Sequence, residues 1–158
     1  YLADAPLAHE LRTGAVSSFD FEIPPQAEDH EERAERVLRR DIVLYRLTPH
    51  MHYRGKRMRI DATWPDGRRR TLISVPRYDF NWQHQYVLDP PLRLPAGTRL
   101  EVTAGFDNSS RNPANPDPDA YVHWGEQSFE EMLFGYFLYR EDDGLRTAGA
   151  AADAAARP

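Results

Sequence analysis

Two histidines, His50 and His52, stand one residue apart at the end of an apolar, β-branched run. Side chains of a strand alternate between its two faces, so an extended chain here places both imidazoles on one face. A polar segment follows the pair, which predicts that both rings lie at a rim open to solvent or substrate. Taken alone, the pair is consistent either with a metal site or with a strand end that carries two partly exposed imidazoles.

Met132 is the candidate for a third ligand, because a thioether is a soft donor. Two imidazoles and a thioether suit copper better than zinc, calcium or magnesium. Methionines more often fill gaps in cores, and Met51 and Met58 fit that role. Sequence spacing does not by itself select Met132 as a ligand. The adjacent Glu130 and Glu131 point to opposite sides of an extended chain, which disfavours a paired acid–base role.

The composition limits the possible classes of function. With 158 residues and 41% hydrophobic content, the chain is long enough for one domain with a packed core. The net charge of -5 argues against a nucleic-acid surface, and the absence of cysteine excludes thiolate metal sites and disulfides. No apolar run approaches the roughly 20 residues of a membrane helix, and no signal segment is visible. Because the sequence opens at Tyr1 without a methionine, we expect a processed or excised piece of a longer protein.

Short apolar and aromatic runs, separated by turn residues, predict the elements that position these side chains. Pro65-Asp66-Gly67 lies between two alternating runs and predicts a β-hairpin. Residues 30–40 are charge-dense and are consistent with a helix or with a polar loop that enters a strand. The pattern predicts an all-β fold, an antiparallel β-sandwich of jelly-roll type. The predicted strands are residues 19–23, 42–47, 57–64, 69–75, 85–88, 98–106 and 132–139.

The same pattern divides the chain into parts. Residues 1–18 carry little periodicity and are interpreted as a leader or linker, and residues 19–140 as the jelly-roll domain. The alanine-rich residues 141–158 are predicted to form a disordered tail. The Asn/Pro/Asp-rich loop of residues 107–120 has a length that is typical of functional or disordered segments. It lacks the spacing and the closing glutamate of an EF-hand loop, so it does not predict that kind of calcium site.

Five motifs in a fixed order are far more specific than the histidine pair alone. Together they resemble the C-terminal, catalytic-copper domain of the copper type II, ascorbate-dependent monooxygenases, and above all bacterial relatives of peptidylglycine α-hydroxylating monooxygenase. The resemblance covers about residues 19–140. The motifs, as they stand here, are PHMHYRGK at residues 49–56, YDFNWQ at residues 78–83, LPAGT at residues 94–98, FDNSSRNPANPDP at residues 106–118 and WGEQSFEEM at residues 124–132.

The resemblance implies a jelly-roll domain that holds one copper ion through His50, His52 and Met132. It further implies O2 activation and hydroxylation of a small-molecule substrate, with ascorbate or another external reductant as electron donor. A periplasmic or extracellular location follows from the same likeness. The family's full enzymes carry a second copper on a preceding domain, held by three histidines that include an adjacent pair. No such pair precedes His50, so we expect the second site in a preceding domain or a partner.

The positions around the ligands limit how far the resemblance extends. Amidating members bind the substrate carboxylate with an Arg two residues before the first ligand histidine, and with an Asn and a Tyr after the methionine. The matching positions here are Thr48, Phe134 and Tyr136, so only the tyrosine is retained. Because the bidentate arginine is lost, we predict that peptidylglycine is not the substrate. With Tyr136, the residues expected around the ligands or in the substrate pocket are His123, Gln127 and Glu131.

Two other functions stay open from the sequence. A non-catalytic copper-binding module would use the same ligands without an electron-supplying partner. A jelly-roll domain that binds carbohydrate or protein would instead use exposed aromatic side chains, for which the candidates are Tyr78, Trp82 and Trp124. Copper content separates the two copper-dependent functions from the third.

Overall fold

The computed structural model describes residues 9–142, whose regular structure consists of ten strands. The strands are β1 (Arg12–Ser18), β2 (Glu22–Ile23), β3 (His30–Val37), β4 (Ile42–His50), β5 (Gly55–Thr63), β6 (Arg69–Val75), β7 (Tyr86–Leu94), β8 (Arg99–Phe106), β9 (Val122–His123) and β10 (Leu133–Glu141). All pairings between them are antiparallel. Within residues 9–142, no helix is long and apolar enough to cross a membrane. The all-β sandwich is thus confirmed, and the jelly-roll topology stays a prediction.

Two four-stranded sheets enclose the core. The first sheet has the strand order β1-β10-β4-β7 and the second has β3-β8-β5-β6, while β2 and β9 form a small separate pair. The core between the sheets consists of aliphatic and aromatic side chains that are nearly inaccessible to solvent. Burying one such side chain contributes about 1.5–3 kcal/mol, so this layer is the main source of stability.

The interpretation of residues 1–18 as a leader or linker needs correction for Arg12–Ser18, which form the edge strand β1. This strand pairs with β10 along its whole length and buries Val16 in the core. The sequence signal is weak because small and polar residues surround the apolar side chain that faces inward. Residues 1–8 lie outside the described part of the chain.

The structure also differs from the sequence prediction in the C-terminal tail, in the charge-dense residues 30–40 and in the length of β7. Glu141 still belongs to β10, whereas residues 143–158, most of the predicted tail, lie outside the described residues. The charge-dense residues 30–40 contain β3, an edge strand of the second sheet on which charged side chains meet solvent. Strand β7 is longer than the predicted strand of residues 85–88 and continues through Pro90-Pro91, because an edge strand tolerates residues without an N–H donor.

Asp61 on β5 is a buried carboxylate, with 2% of its surface exposed, on the face of the sheet opposite the core side chains of Ile60 and Ala62. Its carboxylate accepts hydrogen bonds from Thr71 Oγ1 at 2.6 Å, Arg59 Nε at 2.8 Å and Arg69 Nη2 at 2.9 Å. Burial raises the pKa of Asp61, but the hydrogen bonds from Thr71, Arg69 and Arg59 outweigh it, so the net pKa is lowered. A lowered carboxylate pKa stabilises the fold above the unfolded pKa of about 3.9, and this contribution is lost as the pH falls through the folded pKa.

Replacing Asp61 with asparagine is therefore expected to destabilise the protein at neutral pH and to matter less in acid. The expected loss at pH 7 is about 1–2 kcal/mol, since both arginines remain half exposed to solvent. Urea unfolding between pH 3 and pH 7 measures it. Asp20→Asn, at an exposed position, is the control and should leave the unfolding curve unchanged. If the difference in unfolding free energy between Asp61→Asn and the unmodified protein stays constant over the whole pH range, the stabilisation does not depend on ionisation of Asp61.

Candidate metal centre

The histidine pair lies on the solvent-facing side of the first sheet, which we call the outer face. Along β4 and the residue that follows it, Leu47 and Met51 point into the core and are 1% and 0% exposed. Thr48 and His50 alternate with them and are half-buried on the outer face. His52 continues this alternation but is 4% exposed, so the predicted open rim holds for His50 and is wrong for His52. Alternation along one strand therefore separates the site from the core.

The two imidazoles are close and nearly perpendicular, with ring centroids 5.3 Å apart and planes at 86°. Aromatic residues cover His52, whose ring meets that of Phe80 edge-on at 5.9 Å. Phe80 also packs against Tyr53 at 4.9 Å. The connection between β6 and β7 thus forms one wall of the site and explains why His52 is buried.

Each imidazole is held through its Nδ1 atom. His50 Nδ1 lies 2.6 Å from Gln83 Oε1, and His52 Nδ1 lies 3.2 Å from the backbone carbonyl of Glu130. The Gln83 amide is itself oriented, because its Nε2 donates to the Phe80 carbonyl at 2.9 Å. Both acceptors are oxygens without a hydrogen, so each Nδ1 carries the proton and donates it.

The opposite nitrogen of each ring is therefore a lone-pair donor. Among residues 9–142, the geometrically defined hydrogen bonds of the two rings are made through Nδ1. The pKa of His52 is lowered, chiefly by burial and also by the neighbouring His50, against the backbone carbonyls of Glu130 and Gln127. The neutral imidazole that results is the form that binds metal ions.

Glu131 joins the segment that carries His52 to the segment that carries Met132. Its side chain is 0% exposed, and Oε2 accepts the backbone N–H groups of His52 at 2.8 Å and Met132 at 3.1 Å. Oε1 accepts the N–H of Arg54 at 2.6 Å. Burial raises the pKa of Glu131 to about 7, while the three N–H donors and the charge of Arg54 act in the opposite direction. Both carboxylate oxygens thus accept hydrogen bonds from backbone N–H groups.

Arg54 connects this centre to the long Asn/Pro/Asp-rich loop. Its guanidinium is 2% exposed and donates to Asn108 Oδ1 at 2.7 Å and to the Phe129 carbonyl at 2.8 Å. Asn108, also fully buried, donates to the carbonyls of Pro24 at 2.9 Å and Ala120 at 3.0 Å. The loop therefore supports the centre structurally.

Met132 lies on the same side of the sheet as the histidine pair. Phe134 is the cross-strand partner of His50, and Leu133 points inward with 0% exposure. Alternation then places Met132, which is half-buried, on the outer face with Phe134. The oxygen that Met132 shares with His52 brings their two backbones together.

The other predicted site residues separate into two groups. The Tyr136 ring lies 6.1 Å from that of His50 and stacks on Phe134 at 5.1 Å, so Tyr136 does line the site. Gln127 contributes its backbone, whose N–H donates to Glu130 Oε2 at 2.9 Å. The exposed ring of His123 instead lies 3.7 Å from the carboxylate of Glu22, and its described contacts do not include the histidine pair.

The aromatic surface expected for a carbohydrate- or protein-binding domain is not assembled by the three candidate residues. The Tyr78 hydroxyl donates to the Met51 carbonyl at 2.7 Å and accepts its N–H at 3.1 Å, which fixes it inside the fold. Trp124 packs against the core. Trp82 is exposed over 69% of its surface, without either of the others beside it in the described ring contacts.

Sequence reasoning missed Gln83, Phe80 and Arg54 as parts of the centre. Phe80 and Gln83 lie in the motif YDFNWQ, and Arg54 lies in the motif PHMHYRGK, so the resemblance marked these segments without assigning the three residues a role. That Arg54 is buried could not be predicted, because a buried arginine cannot be told from a surface one without its partners.

The side chains near His50 and His52 limit which donors could complete a metal site. Within residues 9–142, no three His, Cys, Asp or Glu side chains converge as a metal site. A centre built on His50 and His52 therefore needs a donor of another type, and Met132 lies on the same face. No known protein-family model matches the sequence, and no curated protein matches it. The observations that bear on function are therefore those made on the chain itself.

Proposed function

We propose that this domain binds one copper ion through Nε2 of His50, Nε2 of His52 and the thioether of Met132, as the catalytic-copper half of a monooxygenase. The observation that carries the proposal is the anchoring of both Nδ1 atoms. Anchoring of one ring nitrogen by an acceptor is typical of metal-binding histidines, because it fixes the tautomer and the ring orientation.

The chemistry of the neighbouring groups favours copper over harder metals. Zinc and non-haem iron sites with two histidines commonly add a carboxylate. Glu131 does not supply one, since N–H groups occupy both of its oxygens. Glu130 Oε2 likewise accepts the N–H of Gln127. Two imidazoles and a thioether remain, and this soft set suits Cu(I).

The described residues supply rigidity and access. Gln83 and the Glu130 carbonyl hold the two rings, and Glu131 holds the backbone from which His52 and Met132 project. The outer face next to His50 stays open to a small molecule. Copper bound there would supply O2 activation for C–H hydroxylation. The proposal includes a preceding domain or partner with a second copper, ascorbate or another reductant as electron donor, and a periplasmic or extracellular location.

Loading the purified protein with Cu(I) under anaerobic conditions tests the proposal. We expect one copper per chain and an X-ray absorption spectrum with both nitrogen and sulfur scatterers. In Met132→Leu, which keeps the side-chain volume, the sulfur contribution should disappear while the two nitrogen donors remain. The matched control is Met58→Leu, at a methionine that is 1% exposed in the core. A protein that stays copper-free after loading would overturn the proposal.

The second candidate is a non-catalytic copper-binding module. It would bind copper through the same three side chains, His50, His52 and Met132, without an electron-supplying partner. Ascorbate-driven O2 consumption by the longer parent protein separates the candidates. Consumption coupled to a hydroxylated product supports the enzyme, whereas copper binding without coupled turnover supports the module.

A further inference from the structure

A groove of about 240 Å³ lies on the outer face, and Thr48, two residues before His50, is one of the residues that line it. Its walls come from three neighbouring strands and the start of a fourth. The residues that line it include Thr13, Arg46, Thr48, Gln85, Tyr136 and Leu138.

The pairing register places the groove relative to the proposed copper site. His50 faces Phe134 across the β4–β10 pair, and the next outward pair along the strands is Thr48 with Tyr136. Arg46 faces Leu138 one step further. The groove therefore begins one outward pair from His50 and ends at Arg46, and four residues of strand span about 13 Å.

Arg46 is the one charged side chain among the lining residues. Its Nη1 donates to Gln85 Oε1 at 2.7 Å, and within residues 9–142 no carboxylate forms an ion pair with it. The remaining lining groups are hydroxyls, an amide, aromatic rings and an aliphatic side chain. The far end of the groove thus carries an uncompensated positive charge, and the end near His50 offers the ring of Tyr136, which stacks on Phe134.

We infer that this groove binds an extended organic anion, with its carboxylate at Arg46 and its apolar body on Tyr136, directed toward His50. As the identification of a substrate class, the inference rests on the proposed copper site. A guanidinium with free N–H groups recognises a carboxylate through charge-assisted hydrogen bonds. Because Arg46 lies four residues from His50, the anionic group and the reacting carbon are separated by several bonds. An acid whose carboxylate sits on the reacting carbon is too short.

Binding to the copper-free protein tests the anion site independently of copper. The probes are 4-phenylbutanoate and its amide, which have nearly the same shape but of which only the acid is charged, and calorimetry or NMR titration measures both. We expect the acid to bind at least tenfold more tightly than the amide, and Arg46→Gln to remove that difference without changing the affinity for the amide. Arg68→Gln, at an exposed arginine of the β5–β6 turn, is the control. Equal affinities for acid and amide, or an unchanged preference in Arg46→Gln, would overturn the inference.

A second measurement tests the direction of the bound acid. With Cu(II) added, the phenyl protons should broaden more strongly than the methylene protons next to the carboxylate. The reverse order would overturn the placement toward His50. Anion binding by a chain that takes up no copper would sink the proposed function and the substrate role, and would leave the Arg46 anion site standing.

Discussion

Replacing either His50 or His52 with alanine is expected to abolish stoichiometric Cu(I) binding. Each substitution removes one of the two Nε2 donors that the fold holds in place, and the remaining imidazole and thioether form an incomplete set. Loss of a partner that merely orients a ligand costs roughly 10–100-fold in affinity, so loss of the ligand should exceed about 100-fold. Competition against a colorimetric Cu(I) chelator measures the change.

Two further variants make this result specific. Gln83→Ala frees Nδ1 of His50 and should weaken copper binding by roughly tenfold, between the intact protein and the ligand variants. His84→Ala is the matched control, because His84 is exposed and contacts Trp82, with ring centroids 4.6 Å apart. If copper affinity falls as far in His84→Ala as in His50→Ala, the assignment of the ligands is contradicted. A copper affinity that is unchanged in His52→Ala would contradict it as well.

Replacing Glu131 with alanine is expected to cost about 3–5 kcal/mol of the free energy of unfolding, the range for breaking a buried charged network. The carboxylate accepts three backbone N–H groups in a region without solvent, and its removal leaves all of them unsatisfied. Each unsatisfied buried donor costs about 1–3 kcal/mol, and the nearby Arg54 loses a compensating charge. Urea unfolding followed by circular dichroism measures the loss.

The adjacent Glu130 supplies the comparison. Its carboxylate lies nearer to solvent and accepts one N–H, that of Gln127 at 2.9 Å, so Glu130→Ala should cost less than about 1 kcal/mol. Glu131→Gln keeps an acceptor oxygen but turns an amide N–H₂ toward backbone donors. Its stability should therefore lie between that of Glu131→Ala and that of Glu130→Ala. If Glu131→Ala unfolds at the same urea concentration as Glu130→Ala, the carboxylate does not have the structural role described here.

Local patterns were sufficient for some of the fold and part of the centre. The apolar, β-branched run of residues 42–47 predicted a strand, the period 2 of an extended chain predicted a shared face for His50 and His52, and Met51 is buried opposite them as predicted. The Pro65-Asp66-Gly67 turn lies between β5 and β6, where Gly67 has a φ of 86°. These features depend on neighbours in the chain, which a sequence displays directly.

Features that depend on distant partners could not be predicted. Glu130 and Glu131 have the same chemistry, and only the tertiary fold places one of them beneath the N–H groups of His52 and Arg54. The hydrogen bond from His50 to Gln83 crosses between separate elements, and no periodicity reports it. Strand β1 exists because β10 pairs with it, since its own residues have little preference for a strand.

The alternation along β4 has a consequence for how this protein can evolve. Substitutions at Thr48 or Tyr136 change the outer face while Leu47 and Met51 keep the two sheets together, so the surface beside the proposed copper site can change at little cost in folding. A single inserted or deleted residue before His50 is a different kind of change, because it exchanges the two faces of the strand. Both imidazoles would then turn into the core. Selection on this segment should therefore tolerate replacement but purge changes in length.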